Sequence, residues 1–164
     1  PDSGKTTVIK RLAELGYHTV PEYARLLIDK EMRRGNTLEN IMKNKVEFQT
    51  KIARLKIAME KKAPRNKIVF FDRGLPDVIA YYRFLQVKPP KSLDGLSRNR
   101  YKKVFMLDML PYKKDYARKE SKKDALKIHR LIKRTYQGLG YMIVRIPVTT
   151  VAERMELILK HVES

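Results

Sequence analysis

Apolar residues recur at helical spacing along much of the chain. Residues 5–15 carry one apolar face and are followed by Gly16, which predicts an amphipathic helix and its end. Residues 22–33 have the same spacing, and a long helix is predicted between the N-cap Thr37 and Pro64. Its apolar positions are Ile41, Phe48, Ile52, Leu55 and Met59. Further helices are predicted over residues 76–85, around residues 128–139 and over residues 151–162.

Short apolar runs separate these helices. Strands are predicted at residues 17–20, 67–72, 104–107 and 141–147, whereas residues 87–99 are predicted to form a loop. Strands that alternate with helices indicate an α/β fold, with a parallel sheet and helices on both faces. Ligands of such sheets bind beyond the carboxyl ends of the strands. The residues at those ends are Glu22, Asp72, Arg73, Asp108 and Pro147.

The first residues, PDSGKTT, match the end of the phosphate-loop pattern G-x-x-x-x-G-K-[ST]. Gly4 permits a tight turn that points backbone N–H groups at phosphate oxygens. Lys5 would reach the β and γ phosphates, and the Thr6 hydroxyl would bind Mg²⁺. The alternative is an ordinary turn that caps a helix. The candidate nucleotide-binding residues are Asp2, Ser3, Gly4, Lys5, Thr6 and Thr7.

The first glycine of that pattern would fall before Pro1, and so would the apolar strand that normally leads into the loop. In a phosphate-loop fold this strand lies centrally in the sheet. Its loss would leave neighbouring strands without ladder partners. We therefore expect the natural protein to extend upstream, with its N-terminal strand missing from this sequence.

Acids and an arginine follow two of the predicted strands. Asp72 ends a buried strand and is a candidate ligand for Mg²⁺, the alternative being a helix cap. Arg73 would bind a phosphate or an acceptor group, or else lie on the surface. Glu22 would accept a hydroxyl proton or bind magnesium through water. Its alternative role is to stabilise the first turn of a helix.

A segment rich in cations follows the strand at residues 104–107. We interpret residues 111–122 as a lid over bound phosphates, with Arg118 or Lys114 turned inward. A solvated helix face would explain most of these charges equally well. The aromatic residues after the DRG turn, Tyr81, Tyr82 and Phe84, are typical of a core and could alternatively stack on a base.

Composition adds one unusual property. The chain has 37 Lys and Arg against 18 Asp and Glu, a formal net charge of +19. Such a charge attracts polyanions such as nucleic acid or anionic lipid, although a solvated basic surface is the alternative. The chain has no Cys, which fits a reducing compartment, and we expect a cytoplasmic protein. No apolar run is long enough for a transmembrane segment.

Five segments, in order, cover nearly the whole chain and resemble one family: SGKTT, VPEYAR, FFDRGLPDVIAYY, VFMLDMLPYKKDYARKE and YQGLGYMIVRIPVTTVAERMELIL. They are similar to the AAA-type P-loop NTPase domain that includes the nicotinamide riboside kinase part of NadR. The resemblance implies a single nucleoside-kinase-like domain over residues 1–164, of three-layer α/β/α architecture, that binds ATP or GTP with Mg²⁺. It also implies catalytic roles for Lys5, Glu22, Asp72, Arg73 and Arg118, and metal ligation by Thr6 and Asp72.

Two classes of function remain open from the sequence. The first is a kinase that transfers the γ-phosphoryl group to a small hydroxylated, nucleoside-like acceptor. The second is a nucleotide-dependent ATPase or GTPase switch whose basic surface binds anionic lipid, nucleic acid or a protein partner. An ATPase associated with RNA or DNA is permitted by the charge, but no reading motif supports it.

Overall fold

Helices and short strands alternate in the computed structural model, which describes residues 3–98, 100–110 and 121–163. The strands of the described residues are β1 (His18–Val20), β2 (Val69–Phe71), β3 (Val104–Leu107) and β4 (Ile143–Ile146). The helices are α1 (Lys5–Glu14), α2 (Tyr23–Arg33), α3 (Leu38–Met42), α4 (Lys45–Lys62), α5 (Leu75–Phe84), α6 (Lys91–Ser97), α7 (Lys122–Gly138) and α8 (Val151–Glu163). None of these helices combines the length and the apolar character needed to cross a bilayer.

The strands form two parallel pairs. β1 pairs with β2, with His18 opposite Val69, and β3 pairs with β4, with Val104 opposite Ile143. The predicted parallel pairing is confirmed. A single continuous sheet was predicted, however, and the described strands instead form two separate sheets. A ladder requires a neighbouring strand about 4.8 Å away, and no described strand bonds to both pairs.

Side chains of β3 alternate between two apolar clusters. Val104 and Met106 pack in a cluster with side chains of α5 and α7. Phe105 and Leu107 pack in a second cluster with side chains of α1 and α8. Successive side chains of a strand point to opposite sides, so different helices contact the two sides of β3. A third cluster joins α2, α4, α5 and α6.

Two predicted elements are wrong in detail. The long helix after Thr37 is divided into α3 and α4 because the Asn44 side chain accepts a hydrogen bond from Glu47 N at 3.0 Å. Such a side-chain cap starts a new helix in place of continuing the old one. The predicted loop at residues 87–99 contains α6, which begins after Pro90 and buries Leu93. Proline tends to precede a first helical turn, so its presence did not exclude a helix.

Gly74 begins α5 in close contact with an aromatic ring. A Cβ atom at this position would lie 2.7 Å from both Cζ and Oη of Tyr101. Its φ of −108° is open to any residue, so the constraint is one of space and not of backbone conformation. The Tyr101 hydroxyl accepts a hydrogen bond from Leu75 N at 2.8 Å and donates one to Glu60 Oε1 at 2.9 Å. The ring therefore cannot move away without breaking both bonds.

We expect Gly74→Ala to destabilise the fold by about 1–3 kcal/mol, the usual effect of overpacking. Gly95→Ala is the matched control because nothing lies within 4 Å of a Cβ on this glycine of α6. The control should be neutral or stabilise by up to about 1 kcal/mol, since alanine favours a helix. Urea unfolding of both variants measures the difference. Equal stability of the two variants would contradict the prediction.

Candidate functional site

The N-terminus of α1 is open to an anion. Gly4 is its N-cap, with a left-handed φ of 71°, and no side chain of the described residues caps the helix. No acidic residue lies in the first turn. The free N–H groups and the helix dipole at such an end favour a bound anion. Ser3 is buried, whereas Thr6 and Thr7 are exposed on the first turn.

Lys5 extends from this helix end into a cluster of charges. Its Nζ donates a hydrogen bond to Ser3 Oγ at 3.4 Å. Burial lowers the pKa of Lys5 and the charge of Arg73 lowers it further, whereas Asp72 and Glu22 act in the opposite direction. The Lys5 ammonium group therefore lies close enough to interact with the charges of Glu22, Asp72 and Arg73, which follow β1 and β2.

Asp72 and Glu22 follow the carboxyl ends of paired strands. Asp72 N donates to Val20 O at 2.8 Å, which continues the β1–β2 ladder by one residue. The Asp72 side chain is 4% exposed, and its Oδ1 has no hydrogen-bond partner among the described residues. Burial raises the pKa of Asp72, and Lys5 opposes that shift. A buried carboxylate oxygen without a partner is open to a cation.

Arg73 links the ends of both strands to α5. Its Nε donates to Glu22 Oε1 at 2.6 Å, and its Nη1 donates to Asp77 Oδ1 at 3.1 Å. The guanidinium side chain is 9% exposed. Burial alone would raise the pKa of Glu22, but Arg73 and Lys5 outweigh burial and lower it to about 2. Glu22 is therefore an ionised carboxylate at neutral pH.

Three side chains hold the turn around Arg73, whose backbone φ of 72° is left-handed. The sequence predicted Asp77 as a helix cap, which the structure confirms, but it did not predict the roles of Lys56 and Tyr136. Lys56 Nζ donates to Arg73 O at 2.8 Å. Asp77 Oδ2 accepts from Gly74 N at 2.9 Å and from the Tyr136 hydroxyl at 2.7 Å. Lys56 lies four residues after Ile52, on the predicted apolar face of the helix. A lysine on an apolar face indicates a buried charge with a specific partner, so its role could have been predicted.

Arg154 of α8 supports the loop before α1. Its Nη1 donates to Ser3 O at 2.5 Å and its Nε to Pro147 O at 3.0 Å. The residue is 3% exposed, and its Nη2 has no partner among the described residues. This role could not be predicted from the sequence, because an arginine in an amphipathic helix is usually at the surface.

A cleft between α2, α4 and α5 adjoins the charge cluster. Its lining residues include Glu22, Arg25, Ile28, Phe48, Gln49, Ile52, Arg73, Asp77, Val78 and Tyr81. Gln49 is 7% exposed and lies among apolar side chains. Of the three aromatic residues singled out in the sequence, Tyr81 lines this cleft. Tyr82 is buried and bonds Thr50, and Phe84 packs beneath Lys127.

The structure brings four of the predicted residues into one cluster: Lys5, Glu22, Asp72 and Arg73. Asp2 and Arg118 lie outside the described residues, as does most of the predicted lid at 111–122. Asp108, at the end of β3, instead forms an ion pair with the exposed Arg145 at 2.8 Å.

The donor set near Asp72 fits Mg²⁺ in part. No group of three or more His, Cys, Asp or Glu side chains among the described residues would hold a metal by itself. Mg²⁺ in nucleotide sites usually has one or two protein ligands, and phosphate oxygens and water supply the rest. The free Oδ1 of Asp72 fits that requirement.

The fold and the loop before α1 define a P-loop α/β protein, a class that binds nucleotides. A family model described as an AAA domain matches residues 1–154, and the chain belongs to this family. The family supports an NTPase or kinase activity in general terms. No curated protein matches the chain.

Protonation of Glu22 at low pH should lower the free energy of unfolding. The pKa of Glu22 is lowered from 4.5 to about 2, so its stabilising effect is complete above pH 4.5 and is lost as the pH falls towards 2. Between pH 7 and pH 3 the wild type should lose about 2 kcal/mol more than Glu22→Gln. Urea unfolding at both pH values measures this loss.

Glu14→Gln is the control for this prediction because Glu14 forms an exposed ion pair with Arg11. An exposed pair is worth little, so this variant should keep the pH profile of the wild type. If Glu22→Gln also followed the wild-type profile, the Glu22–Arg73 pair would not have the strength that we assign to it.

Proposed function

We propose that the protein is a NadR-like kinase that transfers the γ-phosphoryl group of ATP or GTP to a small hydroxylated, nucleoside-like acceptor. One observation carries the proposal: Glu22 and Arg73 belong both to the charge cluster around Lys5 and to the lining of the apolar cleft. A donor phosphate at α1 and an acceptor hydroxyl in the cleft would therefore meet at these two residues.

The donor would be held by the loop before α1. In this proposal Asp2, Ser3, Gly4, Thr6 and Thr7 surround the phosphates, and Lys5 contacts their oxygens. Thr6 and Asp72 would hold Mg²⁺, which supplies positive charge against the triphosphate when bound. Arg118, from the predicted lid at 111–122, would add a further positive charge.

Glu22 would orient the acceptor. Its carboxylate accepts a hydrogen bond from the acceptor hydroxyl, whose oxygen attacks the γ-phosphorus while the bond to the bridging oxygen breaks. The nucleoside diphosphate leaves, and the hydroxyl proton passes to Glu22 and then to solvent. With a pKa of about 2, Glu22 is a weak base, so its main role is orientation. Lys5 and Arg73 offset the charge that develops on the phosphoryl oxygens.

The cleft suits a planar acceptor. Its walls include Ile28, Phe48, Ile52 and Val78, and the buried amide of Gln49 is able both to donate and to accept a hydrogen bond. An apolar pocket with a few polar groups is typical of a site for a small molecule. A ring bearing a hydroxylated substituent would match both features.

The architecture in this proposal is a single three-layer α/β/α domain of a cytoplasmic protein. The alternation of β3 side chains between the α1–α8 and α5–α7 clusters supports the layered arrangement. Strand-end acids beside a phosphate loop support the nucleoside-kinase-like type.

A screen of nucleosides tests the kinase directly. The right acceptor should increase ATP or GTP consumption, and Glu22→Gln should reduce that increase by about 10²-fold. Nucleotide binding should be retained in the variant, because Glu22 is assigned to the acceptor. Consumption that stays flat across the nucleosides would count against the kinase.

Nucleotide binding has its own test in Lys5→Ala. We expect the affinity for ATP or GTP to fall about 10- to 100-fold, as for the loss of a hydrogen bond to a charged group. Lys10→Ala is the matched control, since Lys10 is an exposed lysine of the same helix. Equal affinities of the two variants, measured by calorimetry, would remove Lys5 from the site.

A second candidate is a nucleotide-dependent switch with slow hydrolysis. The formal net charge of +19 favours it, because a small acceptor does not require such a charge. The partner would be anionic lipid, nucleic acid or another protein. Nucleotide binding without any dependence on an acceptor would favour the switch over the kinase.

A further inference from the structure

The exposed face of α7 is a row of cations. Its exposed basic residues are Lys122, Lys123, Lys127, Arg130, Lys133 and Arg134. The other exposed positions of this helix are Leu126, Gln137 and Gly138. Asp124 is the one acid in its sequence, and it bonds Ser121 at the first turn. The row therefore contains no negative charge.

None of the six cations forms an ion pair with another described residue. Lys127 has one contact, with the ring of Phe84 at 5.5 Å. Some exposed cations in or directly after α1, α2 and α4 do have acidic partners three or four residues away. These pairs are Arg11–Glu14, Arg34–Glu31 and Lys51–Glu47. The absence of acids is thus a property of α7 and not of every helix in the protein.

Like charges on α7 repel one another. Lys123 and Lys127 are four residues apart, as are Arg130 and Arg134, and Arg130 is three residues from both Lys127 and Lys133. Pairs at these spacings are neighbours on a helix surface and destabilise it when their charges are alike. A linear polyanion bound along the row would place negative charge beside each cation, and these attractions would outweigh the repulsions between the cations.

The geometry favours a nucleic acid over a membrane. An amphipathic helix that lies in a membrane surface inserts an apolar face, but Ile128, Ile132 and Tyr136 of α7 are buried in the protein core, so only charge would attract α7 to a membrane. Lys123 and Arg134 lie about 16 Å apart along the helix axis at 1.5 Å per residue. A duplex of that length carries roughly 10 phosphates, enough to neutralise the whole row.

We propose that the exposed face of α7 binds the phosphate backbone of a nucleic-acid duplex. Four of the six cations in the row are lysines, which bind phosphate as point charges, so we expect the affinity to depend more on the phosphate backbone than on base sequence. This proposal rests on α7 alone and does not require the kinase activity.

The test compares two triple variants by fluorescence anisotropy with a labelled 20-base-pair DNA duplex and its RNA equivalent. The α7 variant carries Lys123→Gln, Arg130→Gln and Lys133→Gln. The control carries Lys61→Gln, Arg65→Gln and Lys88→Gln, which remove the same charge from exposed positions elsewhere. Thermal melting followed by circular dichroism checks that both variants fold.

We expect the α7 variant to bind the duplex at least about tenfold more weakly at 50 mM salt. The slope of log affinity against log salt should fall by about 2–3, since each lost phosphate contact removes about 0.9. The control should keep the wild-type slope. DNA and RNA should bind alike, because the phosphate charge is common to both.

Three results would overturn the proposal. The first is no duplex binding by the wild type at 50 mM salt. The second is an equal loss of affinity in both triple variants, which would show that only the total charge matters. The third is loss of binding to phosphatidylserine vesicles in the α7 variant with duplex binding unchanged, which would make the partner a membrane.

Discussion

A buried guanidinium group fixes the relative position of three parts of the chain. Arg73 follows β2, its partner Glu22 follows β1, and its partner Asp77 lies in α5. A buried charge is strongly unfavourable unless it is paired, so moving either carboxylate away would leave the buried guanidinium with one acidic partner in place of two. Lys56 adds a bond to the carbonyl of the same residue and holds its left-handed backbone. The strand ends and the start of α5 therefore move as one unit.

The side-chain charges around Arg73 nearly cancel one another, and this affects how a nucleotide would bind. Lys5, Lys56 and Arg73 face three carboxylates, those of Glu22, Asp72 and Asp77. A triphosphate would make the cluster strongly negative, and this is the setting in which a divalent cation is required. Asp72 has the free buried oxygen for it, and Arg154 keeps Ser3 in place on the other side of the loop. The cluster is thus suited to a nucleotide together with its metal.

Most helices and strands could be predicted because periodicity depends only on residues that are close in the sequence. The acids at the strand ends could be predicted because the carboxyl ends of parallel strands lie at one edge of a sheet. The sequence could not predict which acid pairs with Arg73, since Glu22 is 51 residues away. The periodicity analysis of the long helix also placed Leu55 and Met59 on the apolar face, and they are 39% and 42% exposed. Lys56, between them, is the buried residue. Spacing alone does not say which of two adjacent stripes a helix buries.

The face of α4 that carries Gln49, Lys56 and Glu60 extends from the cleft to the charge cluster. Gln49 lines the cleft, Lys56 bonds Arg73, and Glu60 accepts a hydrogen bond from Tyr101, whose ring packs against Gly74. The spacings of seven and four residues keep these three side chains on one face of the helix. The Arg73 turn and the start of α5 are therefore both bonded to this face of α4, the first through Lys56 and the second through Glu60 and Tyr101. Hydrogen bonds depend on direction as well as on distance, so these polar contacts constrain the position of α4 more closely than apolar packing alone would.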